Sequence, residues 1–171
     1  FPFLFEKVTI NNFKVIAKDY SYALKLNYKN NIFTADSDDI YVYSQIIRDK
    51  KNIIANPVIN LKKQKLFIFS NINYNAYSLK AKAKGEFFWH DARGDITFNR
   101  VGKDVDIQLS SKSFHNLKDI FDNFGLHETI NAWTYEKIKA KEYKLEYMSF
   151  KHRLDEKFDL YKLKAKAVAK D

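Results

Sequence analysis

Tyr77-Ser78-Leu79-Lys80-Ala81-Lys82-Ala83-Lys84 is the stretch on which the fold turns. Tyr77, Leu79, Ala81 and Ala83 alternate with Ser78, Lys80, Lys82 and Lys84. This period of two sends apolar side chains to one side of an extended chain and lysines to the other. Ala and Lys taken singly favour helix, but a helix would scatter these lysines around its whole circumference. The pattern outweighs the propensity, and the segment reads as a strand with one greasy and one wet face.

The same beat recurs on both sides. Tyr20, Tyr22, Leu24, Leu26 and Tyr28 alternate with Ser21, Ala23, Lys25 and Asn27. Val105, Ile107 and Leu109 alternate with Asp104, Asp106, Gln108 and Ser110. Near the end, Tyr161, Leu163, Ala165, Ala167 and Ala169 oppose Lys162, Lys164, Lys166 and Lys170. Strands with less regular faces are expected over 6–18, 32–35, 40–48, 53–61, 66–72, 87–89, 96–101 and 143–150. Turn chemistry separates them: Lys29-Asn30-Asn31, Asp36-Ser37-Asp38-Asp39, Asp49-Lys50-Lys51-Asn52, Lys62-Lys63-Gln64, Arg93-Gly94-Asp95 and Gly102-Lys103. Strands recurring every 10 to 12 residues or so with short links predict an antiparallel meander. Pro57 within a strand pattern predicts an edge or a bulge. The pentapeptide Leu-Lys-Ala-Lys-Ala occurs at 79–83 and again at 163–167, as a strand module used twice would.

One region changes period. Phe114, Leu117, Ile120, Phe121 and Phe124 follow helical spacing, and Gly125 is placed to end that helix. A second short helix is expected over 128–137, with Ile130, Trp133 and either Tyr135 or Ile138 turned inward. The expected fold is mainly β with a small α insertion. A meander fills 1–112, two short helices lie near 114–138 within an insertion spanning 113–140, and a final hairpin fills 141–171. Phe114, Leu117, Phe121 and Trp133 are the residues expected to pack the helices against the sheet.

Composition bounds the rest. The 171 residues are 46% hydrophobic and include 15 Phe, 11 Tyr and 2 Trp, ample for one packed domain and too aromatic for a disordered chain. No run of 18 apolar residues is present to span a membrane as a helix. The absence of cysteine removes disulfides, thiol nucleophiles and thiolate-bound metals. The chain opens at Phe1 rather than Met, as a piece of a longer protein would, which places any anchor segment outside it. Of 30 basic residues, 26 are Lys, and only Arg48, Arg93, Arg100 and Arg153 are Arg. The lysines are spread along the chain without a block, so the net charge of +9 reads as a solvated face before it reads as a phosphate footprint.

No catalytic constellation is legible. His90, His115, His127 and His152 lack helical metal spacing. Asp36, Asp38 and Asp39 lack the central glycine and trailing glutamate of a calcium loop. Four glycines supply no nucleotide cradle. Ser110, Ser111 and Ser113 have no nucleophile elbow, and Glu128 and Glu136 have no reason to share a proton. The chain reads as a non-enzyme with no cofactor and no metal. Tyr41, Tyr43, Phe67, Phe69, Phe87, Phe88 and Trp89, interleaved with lysines, admit a stacking platform for single strands, against the plainer reading of core filling.

Two stretches carry a family likeness. Ser113-Phe114-His115-Asn116-Leu117-Lys118-Asp119-Ile120-Phe121, followed by Ala132-Trp133-Thr134-Tyr135-Glu136-Lys137-Ile138-Lys139-Ala140-Lys141-Glu142-Tyr143-Lys144-Leu145, resembles the AsmA-like family and within it the YhdP-type proteins. There a strand leads through a short helical stretch to a Trp-centred helix, and the chain then resumes as a strand. Phe1-Pro2-Phe3-Leu4-Phe5-Glu6-Lys7-Val8 and Val58-Ile59-Asn60-Leu61-Lys62 also resemble the repeating strands of that family. Lys139-Ala140-Lys141 departs from it by lacking the glycine often found after the Trp helix.

The resemblance implies a long, curled, groove-like sheet in a periplasmic cell-envelope protein, anchored in the inner membrane through a segment outside this one. Such a groove passively binds and transports phospholipid between inner and outer membrane. Leu79, Ala81, Ala83, Val105, Ile107 and Leu109 would then face lipid, and phospholipid or another acyl-chain ligand would be the partner rather than nucleic acid. Two alternatives stand beside it: a basic polyanion-binding module, and a scaffold pairing through exposed β-edges. A plain sheet wholly covered by its two helices would bind nothing.

Overall fold

The computed structural model describes residues 7–17, 20–118, 140–155 and 163–171. They form one antiparallel sheet of eleven strands, each paired with the next in the chain. The strands are β1 (Lys7–Ala17), β2 (Tyr20–Lys29), β3 (Ile32–Asp36), β4 (Ile40–Asp49), β5 (Asn52–Leu61), β6 (Leu66–Asn75), β7 (Lys80–Trp89), β8 (Ala92–Val101), β9 (Asp104–Ser111), β10 (Glu142–Arg153) and β11 (Leu163–Lys170). The sheet does not close, so β1 and β11 are its two edges.

Tight turns hold the meander in register. Asn30 and Asn31 both adopt positive φ (52° and 63°), as a two-residue type I′ hairpin demands, and the Tyr28 hydroxyl donates to Asn31 Oδ1 at 3.0 Å. Ser37 Oγ accepts from the amides of Asp39 and Ile40 between β3 and β4. Lys50, Lys65, Leu79, His90 and Gly102 each supply a left-handed position to one of the next five turns.

Several expectations need correction. Arg93, Gly94 and Asp95 do not turn the chain. They lie within β8, and the turn falls earlier, at His90 and Asp91. Tyr77 and Leu79 precede β7 rather than alternating within it. The strand starts at Lys80 and runs unbroken to Trp89, joining two expected strands into one. Pro57 is neither at an edge nor in a bulge. It lies in interior strand β5 opposite Ser44, and the β5–β6 register is the same before and after it, from Ala55↔Ile72 to Val58↔Phe69. Ladder pairing with β6 lapses between those points, as a ring that cannot donate to the neighbouring strand requires.

The helical insertion is unsupported among the described residues. Phe114, expected to open a helix, instead forms an isolated β-bridge with Tyr143, with N···O distances of 2.8 and 2.7 Å. The backbone turns helical only at Leu117 and Lys118, where this described stretch ends. The remainder of the helix expected over 114–124, the whole of that over 128–137, and Phe121 and Trp133 lie outside the described residues. Phe114 packs with Ala92, and Trp89, Leu117 and Tyr143 surround the pair. The rings of Phe114 and Tyr143 stack at 5.8 Å.

Two glycines mark where neighbouring strands approach most closely. A Cβ on Gly85 would come within 2.2 Å of the Phe69 carbonyl oxygen and 2.9 Å of Ser70 Cα, both on the adjoining β6. A Cβ on Gly94 would come within 2.0 Å of the Ser110 carbonyl oxygen on β9. In a flat sheet a Cβ stands clear of its neighbour's backbone, so at both places the strands crease toward the side on which that Cβ would point.

Candidate functional site

Partners directly opposite in an antiparallel pair project from the same face, so the registers assign every paired side chain to a side. One face is predominantly apolar, with Arg48, Arg100 and His152 in a row at one end of it. Its middle band carries Ile46, Ala55, Ile72, Ala83, Phe98, Ile107 and Phe150, linked partner to partner from β4 to β10. The next band carries Ser44, Pro57, Ser70, Gly85, Ile96, Leu109 and Met148. Small residues cluster in the β4–β7 part of that second band, at the Gly85 crease. Among the described strand residues, no Asp, Glu or Lys projects from this side.

Both glycines whose added Cβ would meet a neighbouring backbone belong to the apolar face, so the closest approaches between strands lie on that side. Burial follows the same sense. Tyr28, Ala35, Ala81, Phe87 and Ala92 are each less than 8% exposed, and all five lie on the apolar side. Ala92 is covered by Phe114, which packs on this side together with Leu117. Ile10 and Phe13, near the β1 edge, keep the same facing but are over 40% exposed. The two polar residues buried on this side are satisfied locally. Ser44 Oγ donates to the Gln45 carbonyl, and Ser111 Oγ accepts from the Leu145 amide at 2.8 Å.

The opposite face is mixed, lysine-rich along β7 but with an exposed apolar patch that includes Tyr43, Phe67 and Phe69 on β4 and β6. Lys80, Lys82 and Lys84 form a column on β7 beside Asn75, Asn73 and Asn71 of β6. Acidic partners hold several other cations: Lys62 with Asp36 (2.9 Å), Lys103 with Asp155 (2.8 Å) and Lys166 with Glu146 (2.5 Å). The hydrogen bond from Lys166 lowers the Glu146 pKa, and Glu146 in turn raises that of Lys166. Lys103 does the same to Asp155, lowering its pKa by a hydrogen bond. Shallow, polar-lined depressions mark this side, one bounded by Lys25, Asn27 and Thr34. Among the described residues no three His, Asp or Glu side chains converge as metal ligands would.

The structure sorts the residues singled out from the sequence. Ala81, Ala83, Val105, Ile107 and Leu109 line the apolar face together on β7 and β9, two strands apart. Leu79 does not join them, being a turn residue 44% exposed with φ of 51°. The second copy of the pentapeptide repeats the arrangement, since Ala165 and Ala167 pair with Met148 and Leu145 on the apolar side. The aromatic group divides. Phe87 and Trp89 project from the apolar face, whereas Tyr41, Tyr43, Phe67, Phe69 and Phe88 lie on the opposite face. There Phe69 and Phe88 meet edge to face at 5.6 Å and Arg93 lies over Phe88 at 5.4 Å.

Sequence reasoning missed the two ends of the apolar face. At one end the partner chain runs Ile40, Leu61, Leu66, Trp89, Ala92, closed by the Phe114 cluster. At the other it runs Arg48, Ile53, Tyr74, Ala81, Arg100, Val105, His152. Parity within each strand already placed Arg48 with Ile46 and Arg100 with Phe98. Only the registers align them in a row. Comparisons with family models, with curated proteins and with solved structures find no match to this chain.

Proposed function

We propose that the chain is a non-enzymatic segment of an AsmA-like envelope protein that holds phospholipid acyl chains in its apolar furrow and lets them pass along it. The observation that carries this reading is a single sheet of eleven strands, predominantly apolar on the face where its strands approach most closely, which Phe114 and Leu117 cover at one end. The driving force is ordinary desolvation, about 0.8 kcal/mol for each methylene taken out of water. Passive transfer needs no reacting group, and the furrow offers none. The periplasmic setting and the inner-membrane anchor belong to the same proposal and rest on the family likeness alone.

Mass spectrometry of organic extracts of the purified protein tests it. Co-purifying phospholipid is expected, and Ile107→Asp in the middle of the furrow should abolish it while the far-ultraviolet circular dichroism stays that of a sheet. Unfolding of that variant would place Ile107 in a sealed core and refute an accessible furrow. A salt titration separates the polyanion reading. Binding driven by the lysine column would fall steeply between about 50 and 200 mM salt, and acyl-chain capture would hold.

A further inference from the structure

Charge on the apolar face is confined to one end of it. Arg48 and Arg100, two of only four arginines in the chain, lie in the same partner row as His152, with the Tyr74 hydroxyl between the arginines. Strand spacing puts Arg48 about 19 Å from Arg100 along the sheet, and His152 about 10 Å further on, before curvature shortens these spans. Arg100 Nε donates to the Gly102 carbonyl at 2.8 Å, which fixes its guanidinium at the strand end. The strand acids at this end, Asp49, Asp104 and Asp106, belong to the opposite face, the last two directed toward Arg153 and Lys151. The other end of the furrow is apolar, and about 26 Å of strand separates the two. One leaflet of a bilayer needs about half of a 30 Å hydrocarbon core, so an acyl chain fits between them.

We infer that the Arg48–Arg100–His152 row is a lip along which the phosphates of separate glycerophospholipids are received, Arg48 and Arg100 each taking one, leaving the tails to lie along the strands toward Trp89 and Phe114. Arginine suits this place because its planar fork binds phosphate in two parallel hydrogen bonds and is less strongly hydrated than lysine. The absence of acidic side chains on this face, among the described strand residues, leaves each phosphate unopposed. The inference rests on the furrow reading and adds an orientation to it, with headgroups at one lip only.

The test compares two fluorescent amphiphiles carrying the same labelled acyl chain, a phosphatidylglycerol and a diacylglycerol. Wild-type protein is expected to bind both, and the double variant Arg48→Gln/Arg100→Gln to lose at least tenfold in affinity for the phosphatidylglycerol only. Arg48→Lys/Arg100→Lys should recover most of that loss. Lys80→Gln/Lys82→Gln, which removes the same charge from the opposite face, should change neither affinity by more than twofold. Competition by millimolar inorganic phosphate against the phosphatidylglycerol would reveal a site for the free anion and overturn the headgroup assignment. Equal losses for both amphiphiles, or none, in the glutamine variant would overturn the lip while leaving the furrow standing. Failure of wild-type protein to bind either amphiphile would remove the furrow reading itself.

Discussion

Gly85 and Gly102 are both glycines at bends, but for different reasons. Gly102 sits at φ of +61° with open space around its absent Cβ, so Gly102→Ala meets only the left-handed backbone penalty, about 1 kcal/mol. Gly85 faces the carbonyl of Phe69, which cannot swing aside as a side chain would. Gly85→Ala therefore forces the β6–β7 crease open, at about 3 kcal/mol. Urea unfolding of the two variants checks the order, and a Gly85 variant as stable as the Gly102 variant would deny the crease. Lys166 and Glu146 make a surface pair of another kind. Glu146 titrates below its ordinary 4.5, so the favourable contribution is present above that value and fades as pH falls through the lowered one. A carboxyl titration followed by NMR should show this midpoint return to the ordinary range in Lys166→Met, and 1 M salt should weaken the effect.

At the scale of strands and turns, the asparagine hairpin between β2 and β3 sets the register of one side of the sheet. Asn31 combines a positive φ with the hydrogen bond from Tyr28. Asn31→Val puts a β-branched side chain into the left-handed region and should cost about 1–3 kcal/mol. Asn31→Gly should cost less than half as much, both read from thermal or urea unfolding. Strand identity was legible wherever one face was wet. β2, β7, β9 and β11 alternate legibly because solvent selects polar residues at most of every second position, as at Lys80, Lys82, Lys84 and Glu86 of β7. The boundaries of β7 and β8 were not legible. A glycine inside a creased strand and a glycine in a turn look alike in sequence, which is why Gly94 read as a turn and Leu79 as a strand residue. The helical period from Phe114 gave way at its first residue to a β-bridge, since pairing with Tyr143 satisfies two backbone groups and stacks two rings.

Across the whole molecule, stability has to be graded from centre to edge. Each strand hydrogen-bonds only to its sequence neighbours, and β1 and β11 have one neighbour each. Amide hydrogen exchange should therefore be slowest in β5 to β8 and fall off toward both edges, with β11 exchanging at least tenfold faster than β6. Uniform protection across the sheet would mean that another layer braces it. Lysines at Lys164, Lys166 and Lys170 along β11 and at Lys7 and Lys14 along β1 put like charge on the two open edges, which disfavours pairing of one copy's β11 with another's β1.

The sequence by itself determined that the chain is a β-meander with one predominantly apolar and one wetter face, because side chains alternate with period two whatever the neighbouring strands do. It also identified Ala81, Ala83, Val105, Ile107 and Leu109 as companions on that apolar face. Only the tertiary structure decided where neighbouring backbones approach most closely, which aromatics share a face, and that Arg48, Arg100 and His152 share one row. Those properties depend on register between strands and on how closely neighbouring backbones approach. Register is a relation between residues far apart in the chain, and alternation within a single strand does not contain it.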